Sequence, residues 1–504
     1  MTSTDFRFLL PYIILAYGAT LLLVVGAFWR RHAAVAFLTL ATLVAALLSS
    51  LFLLPHANHQ VTPLLRVDSL ALFYLALFCS GAAVLTIFSH DYLEGAAGRE
   101  RFYVLLLFAV LGMSVLAASV HFASFFLGLQ TLSVSLYGLI GFTLRRSSSL
   151  EASVKYLVLG GVSLSFLLLG IGLVYSEFGA MDFAVLAAHF GASVGPLPGL
   201  ALLGVGLILV AFAFKLALAP AHVWAPDVYQ GAPAPITALL ATGSKAAMFA
   251  LLIRFIALIA LRERAALLPL LEVLAIATMT AGNLLALLQR NLKRLLAYSS
   301  VAHMGYLLIP LIAGGPTGVS ALSFYFIAYF ITTIGAFGII AALSRQGEEF
   351  ENLDDYRGLG LRRPWLAAAL GLMMLSLAGV PPTVGFMAKF YLFAAAAESR
   401  LWLLLVVGVI NAGVSVYYYL QVLVAMYSRP AEPEVRWPRV RPASGVALAA
   451  LSLALLVLGI YPGPAIAGAR RLADSWFAQS AAAPTTSRPL VYPDPSRTVP
   501  PRSP

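Results

Sequence analysis

The sequence is short of charge. Asp, Glu, Lys and Arg make up only 11% of its 504 residues, where a soluble domain carries about a quarter. That excludes a water-soluble fold of this length, which needs far more charge to cover its surface. The chain has one cysteine, Cys79. A single thiol excludes an internal disulfide and an iron–sulfur cluster, which takes about four ligands. Lying in an apolar run, Cys79 reads as a small buried hydrophobe. No Gly-x-Gly-x-x-Gly opens a helix after a strand, no phosphate-binding loop is present, and no Cys/His cluster has metal-ligand spacing. No nucleotide, cluster or metal is therefore expected in this chain.

What is present is hydrophobic, at 61% of residues, and it comes in blocks. Residues 9–28, 33–54, 200–218 and 267–288 are each nearly free of charge over about the 20 residues that cross a bilayer. In lipid the backbone must satisfy its own hydrogen bonds, which leaves helices or a closed barrel. The runs do not alternate polar and apolar residues as barrel strands do. The class is all-α, a polytopic membrane protein. The first apolar segment reads as a span, since it lacks a small-x-small cleavage site before a soluble domain.

About fourteen spans are expected: 9–28, 33–54, 69–89, 103–119, 122–143, 153–175, 200–219, 234–259, 267–288, 295–313, 318–343, 365–397, 401–427 and 443–461. With these limits, seventeen Lys and Arg residues fall in connections on one side, among them Arg146, Arg290, Lys293 and Arg294. Five fall on the other, leaving out the C-terminal tail: Arg7, Arg66, Arg262, Arg264 and Arg400. Lys and Arg gather on the cytoplasmic side. This bias makes a basic cytoplasmic face and places both termini outside. It also accounts for the net charge of +11 by a membrane surface rather than by nucleic acid.

Two segments are too long for one straight span and carry interior proline. Residues 200–230 run through Pro220 and Pro226, and 365–397 through Pro381 and Pro382. Interior proline removes a hydrogen bond and kinks a helix. Paired breaks in two halves of a chain point to inverted repeats around a transport site. The expected organisation is three leading helices (1–102), a first repeat of helices four to eight (103–261), a second, inverted repeat of helices nine to thirteen (262–428), a loop with helix fourteen (429–475), and a tail (476–504). The tail is rich in Ala, Ser, Thr and Pro and reads as disordered.

Charge in the hydrocarbon region is costly by several kcal/mol, so what persists there is a functional candidate. Lys215 lies about fifteen residues into its helix, roughly 22 Å from the outer end. Lys245 lies about eleven residues from the cytoplasmic end of the next span, and Lys389 about nine from the outer end of the second broken one. A structural lysine that is paired or snorkels to water is the plainer alternative for each. Burial disfavours the charged form of an amine, which lets it release and regain a proton near neutral pH. Breaks beside Lys215 and Lys389 free backbone groups and admit water. Lys155 follows Glu151 by one turn, a spacing as suited to a structural surface pair as to proton entry. His303, mid-span, reads as a proton relay or a packed polar residue. His222, after Pro220, reads as a cytoplasmic-side relay or a filler of the break.

Five stretches resemble the antiporter-like subunits that respiratory complex I shares with multisubunit cation/proton antiporters: EASVKYLVLGG at 151–161, FKLALAPAHVWAPDVYQGAPAPITALLATGSKAA at 214–247, NLKRLLAYSSVAHMGYLL at 291–308, LDDYRGLG at 353–360 and LAGVPPTVGFMAKFYLF at 377–393. PDVYQGAP together with GSKAA is most similar to the subunit N branch. The resemblance covers about 65–430. It implies proton translocation driven by quinone reduction elsewhere in an NADH:quinone oxidoreductase. Lys215 then matches the central lysine of a broken seventh helix, Lys245 the connecting lysine of the eighth, and Lys389 the terminal lysine of a broken twelfth. His303 matches a polar residue of the central axis, and Lys155 a lysine near the entry. The resemblance also implies subunits K and M as neighbours, a bacterial cytoplasmic membrane, and FMN, iron–sulfur clusters and quinone on other subunits, with no cofactor here. One position departs: where the family has glutamate in LGLE-x-LS, this chain has Gln130, and Gln230 stands where glutamate is frequent. An amide cannot titrate or neutralise an ammonium. This keeps open a non-pumping structural segment of the complex; a cation/proton antiporter component is a separate alternative, against which the subunit N motifs argue.

Overall fold

The computed structural model describes residues 2–28, 31–96, 98–143, 146–192, 198–258, 261–344, 349–429 and 437–481. The chain is almost wholly helical, as burial of an apolar backbone in lipid requires. It opens with α1 (Ser3–Phe28) and α2 (His32–Leu53). A short antiparallel hairpin, β1 (His59–Thr62) and β2 (Leu65–Val67), then leads into α3 (Ser69–Tyr92). There follow α4 (Arg99–Ala118), α5 (Phe122–Ile140), α6 (Ser147–Phe178) and the ten-residue α7 (Phe183–Ala192). Next come α8 (Gly199–Leu216), α9 (Ala225–Gly231), α10 (Ala234–Leu239) and α11 (Lys245–Leu258). A wide π turn, Leu240–Ser244, joins the last two into one span. The second half holds α12 (Leu261–Leu287), α13 (Leu292–Ala313), α14 (Gly315–Leu343), the one-turn α15 (Leu359–Arg362), α16 (Pro364–Ala378), α17 (Val384–Glu398) and α18 (Trp402–Tyr427). Helices α19 (Pro442–Ile460) and α20 (Gly463–Ala481) close the described chain.

Among the described residues, 13 helices are long and apolar enough to cross a membrane. They match the expected spans except 365–397, which is divided between α16 and α17. The other interrupted segment ends α8 at Leu216, turns through 217–224, and resumes as α9. Pro220 lies in that turn, and Pro381 and Pro382 lie between α16 and α17. Pro226 does not break a helix. It sits in the first turn of α9, where the missing N–H has no helical partner to lose.

Residues 476–481, expected as the start of the tail, are instead the last residues of α20. This helix packs on α14 and α3, with Leu472 O accepting from Ser69 Oγ at 3.3 Å. Residues 482–504 lie outside the described residues. The hairpin, α7 and α20 were not foreseen.

Burial is graded from centre to edge. The span Ala234–Ile256 is wholly buried, while Pro442–Ile460 is only 22% so. Helix α14 packs against it, and the equally central α13 packs against α14. Outer helices carry exposed Phe37, Val158, Leu403 and Val446, a lipid-facing surface. Cys79 is buried. Arg254, a basic residue deep in α11, is answered by Asp68, the N-cap of α3. Its two terminal nitrogens donate to the carboxylate at 2.7 and 2.6 Å, and its Nε donates to Ala117 O at 2.7 Å. A charge that is paired and hydrogen-bonded is the form in which arginine is tolerated at such burial.

Helices α6 and α8 cross at two facing glycines. A Cβ on Gly170 would stand 2.7 Å from Gly204 O, and one on Gly204 2.8 Å from Gly170 O. Small residues permit this approach of backbones in membranes. Gly204→Leu is expected to push α8 off α6 at about 1–3 kcal/mol. The check is a lowered thermal unfolding midpoint in detergent; an unchanged midpoint would show the crossing to be pliable.

Candidate functional site

A chain of charged and polar groups begins at one end of the bundle. Lys155, on the first half of α6, donates to Asp227 of α9 at 2.8 Å and lies 2.7 Å from Glu151. Asp227 also accepts from Arg294 of α13 at 2.7 Å. Arg294 reaches Gln230 Oε1 at 3.2 Å, and Gln230 Nε2 reaches Glu351 at 3.2 Å. Arg146 then bridges Glu351 and Glu349. Glu349 accepts from Lys293 Nζ at 2.6 Å, and neither side chain of that pair has any exposure. Glu349 also accepts from the Ala234 N–H at 2.9 Å and the Tyr92 hydroxyl at 2.7 Å, while Lys293 donates to Ala232 O at 2.6 Å. Loop 349–351 is thereby tied to the ends of α3, α6, α9, α10 and α13. The Lys155–Glu151 spacing and the departure at Gln230 were legible beforehand. Arg146, Lys293 and Arg294 had been read simply as basic loop residues, and Glu349 and Glu351 had not been singled out.

Outside the spans, the surroundings of Glu349 shape its titration. Burial pushes its carboxyl up, but the Lys293 ammonium, the Arg146 guanidinium and the Tyr92 hydroxyl outweigh this. Together they hold it below the usual glutamate value. It is a carboxylate at neutral pH.

Deeper in the bundle the chemistry changes from charge to hydroxyl. Lys215 occupies the last turn of α8, beside the break, and is 7% exposed. Its Nζ donates to Ser133 Oγ of α5 at 2.9 Å and lies 5.0 Å from the centre of the Tyr156 ring. Among the described residues it forms no ion pair. Gln130 lies one helical turn before Ser133 and is half-buried. The break itself is satisfied locally: Trp224 Nε1 donates to Phe214 O at 2.9 Å, and the Ala219 N–H donates to Thr278 Oγ1 at 3.0 Å. His222 sits in this turn beside the Tyr298 ring and outside the hydrogen-bonded groups that surround the lysines.

Lys245 opens α11 after the π turn and is fully buried. Its Nζ donates to Ser300 Oγ at 2.7 Å, and the hydroxyls of Tyr329 and Tyr229 reach the same oxygen at 2.8 and 3.2 Å. The neighbouring Ser299 meets the Tyr419 hydroxyl at 2.5 Å, and Tyr419 meets His303 Nε2 at 3.2 Å. His303 Nδ1 lies 2.7 Å from the Tyr325 hydroxyl. A cavity of about 10 Å³ separates His303 from Lys389 and is lined also by Tyr325, Tyr329, Thr332 and Ser376; it has room for about one water. Lys389 of α17 donates to Ala378 O at 2.9 Å, the last carbonyl of α16, and its Nζ stands 5.4 Å from the centre of the Tyr306 ring. A lysine is well suited to the negative end of a helix. The structure thus brings Lys245, His303 and Lys389 into one polar run. Lys215 sits in a separate pocket, and Lys155 in the charged cluster at the end of the bundle. The hydroxyl partners Ser133, Ser299, Ser300 and Tyr419 were missed, since serine and tyrosine in an apolar span carry no signal apart from their packing.

Residues 119–415 match the transmembrane family described as NADH:quinone oxidoreductase/Mrp antiporter. The chain is 46% identical over 475 residues to an NADH-quinone oxidoreductase subunit N of Methylococcus capsulatus, covering 92% of this chain and 95% of that one. It is 42% identical over 473 residues to a subunit N of Ectopseudomonas mendocina, covering 90% and 94%. Among solved structures it is similar to a chain of respiratory complex I from Thermus thermophilus with bound aureothin. The TM-score is 0.78 at 36% identity, over 91% of this chain and 98% of that one. With a family match over more than half its length and full-length relatives of this closeness, the chain belongs to the NADH:quinone oxidoreductase/Mrp antiporter transmembrane family, as a subunit N member of the membrane arm of complex I.

Proposed function

We propose that this chain carries protons across a bacterial cytoplasmic membrane through Lys215, Lys245, His303 and Lys389, entered beside the ion-paired Lys155 and driven by quinone reduction in other subunits of the complex. One observation carries the reading. Lys215, Lys245 and Lys389 are buried, and their side-chain partners are neutral oxygens of Ser133, Ser300 and Ala378. Among the described residues no anion holds any of the three as an ammonium. A buried amine of this kind can change its protonation state, whereas one locked in an ion pair is kept charged. The hydroxyls between Lys245 and His303 supply groups that both donate and accept. Lys155, held by Glu151 and Asp227 at the cytoplasmic end, is the entry.

The halves 103–261 and 262–428 form inverted repeats in this reading. Its support is one interrupted helix in each half, with a lysine beside each break. The neighbours are subunits K and M, and FMN, iron–sulfur clusters and quinone belong to other subunits. The basic face is cytoplasmic and both termini lie outside.

A second reading, a structural segment that does not pump, is favoured by Gln130, which leaves α5 without a carboxylate near Lys215. NADH-driven acidification of inverted vesicles separates the two. Under the first reading, Lys215→Ala lowers both acidification and quinone-coupled NADH oxidation sharply in assembled complex. Wild-type levels of both would leave the structural reading in its place.

A further inference from the structure

We infer that Ser133 is the positioning residue for Lys215, a neutral hydroxyl that holds the amine in both of its protonation states. The inference rests on the proton-carrying reading of Lys215. Lys215 Nζ is 2.9 Å from Ser133 Oγ, and both residues are buried. Among the described residues that amine forms no other hydrogen bond, and the Tyr156 ring 5.0 Å away faces it as a π surface. Ser133 is on α5 and Lys215 at the end of α8, so the contact joins two helices across 82 residues of sequence. It places the amine beside the break at 217–224.

A hydroxyl differs from a carboxylate in one respect that matters here. When Lys215 is an ammonium, its N–H donates and Ser133 Oγ accepts. When the proton has left, the Ser133 O–H donates and the nitrogen lone pair accepts. The hydrogen bond survives the transfer by rotation of one O–H, and no buried anion is left behind. An ionised carboxylate only accepts and its charge favours the ammonium, so it opposes release of the proton. Ser133 therefore keeps Lys215 aimed at the break through a full cycle. Neighbouring residues on the same helix face do not take this part: Gln130 is one turn earlier and makes no bond to Lys215, and Tyr137 is one turn later.

The test uses the intact complex in inverted vesicles with Ser133→Ala, Ser133→Thr and Ser133→Val. Threonine and valine have nearly the same shape and differ by the hydroxyl. In variants that assemble, loss of the hydroxyl is expected to lower NADH-driven acidification about tenfold, the factor that a lost hydrogen bond to a charged group implies. Ser133→Thr is expected to retain most of it. If hydroxyl-bearing and hydroxyl-free variants pump alike, whether all well or all poorly, the inference is overturned and Ser133 is a packing residue. Lys215→Ala run alongside separates this failure from that of the wider reading: if it too pumps normally, Lys215 carries no proton and the function proposal falls with the inference.

Discussion

Glu349→Ala is expected to destabilise the protein by roughly 3–5 kcal/mol and to remove most of it from the membrane. The substitution takes away the carboxylate shared by Lys293 and Arg146, and with it the acceptor for the Ala234 N–H and the Tyr92 hydroxyl. Arg146 keeps Glu351. Among the described residues Lys293 then keeps Ala232 O alone, and its side chain has no exposure through which water could reach it. An uncompensated buried charge is the expensive outcome of breaking such a pair. Replacing both partners by apolar residues of similar size, Lys293→Met with Glu349→Leu, is expected to recover much of the loss, because the desolvated charges disappear together.

The same pair sets a pH dependence. The folded Glu349 carboxyl is held below its usual value, which in the unfolded chain is about 4.3. Its contribution is then fully present above about pH 4.3 and is lost as pH falls through the lower folded value. Abundance in membranes, and unfolding midpoints in detergent from neutral pH downward, check both statements. A single variant as stable as wild type would show that the loop at 349–351 is not a structural tie.

Lys245→Ala is expected to lower proton translocation by a factor on the order of 10² or more, the range for removal of a positioned proton-transfer group. Lys245 is the amine that meets Ser300, where the Tyr229 and Tyr329 hydroxyls converge. It is fully buried, so bulk water cannot stand in for it. Lys245→Arg is expected to be nearly as defective. A guanidinium stays protonated and cannot complete a cycle of release and uptake. Ser300→Ala, which removes the acceptor but not the amine, is expected to have the smaller effect. Acidification by vesicles with matched amounts of assembled complex checks the order. Wild-type pumping by Lys245→Arg would show that charge, and not proton exchange, is what the site requires.

The sequence by itself determined a great deal about this protein. Long apolar runs must be helices in lipid, because no water is there to satisfy a free backbone, so the spans were legible from hydropathy alone. The interruptions were legible at Pro220, Pro381 and Pro382 because proline stood there in segments too long for one straight span, whereas Pro11, Pro269 and Pro310 sit inside unbroken helices. Depth alone marked Lys215, Lys245 and Lys389, since a charge mid-span is too costly to persist by accident. Helix α20 was not legible. Its Arg470 and Arg471 and the Ala/Ser/Pro-rich residues after it have the composition of a tail, and only the apolar surfaces of α14 and α3 make it a packed helix.

Tertiary structure alone decided the partners. Arg146 and Glu349 are 203 residues apart, Lys215 and Ser133 82, and His303 and Tyr419 116. Helix formation answers a local question, whether a stretch of backbone can satisfy itself. Pairing answers a global one, because a bond between two buried polar groups has its strength only once the packing of several helices has removed both from water. That is why three amines could be located by counting residues along the chain, while the serines and tyrosines around them came into view only when the helices were brought together.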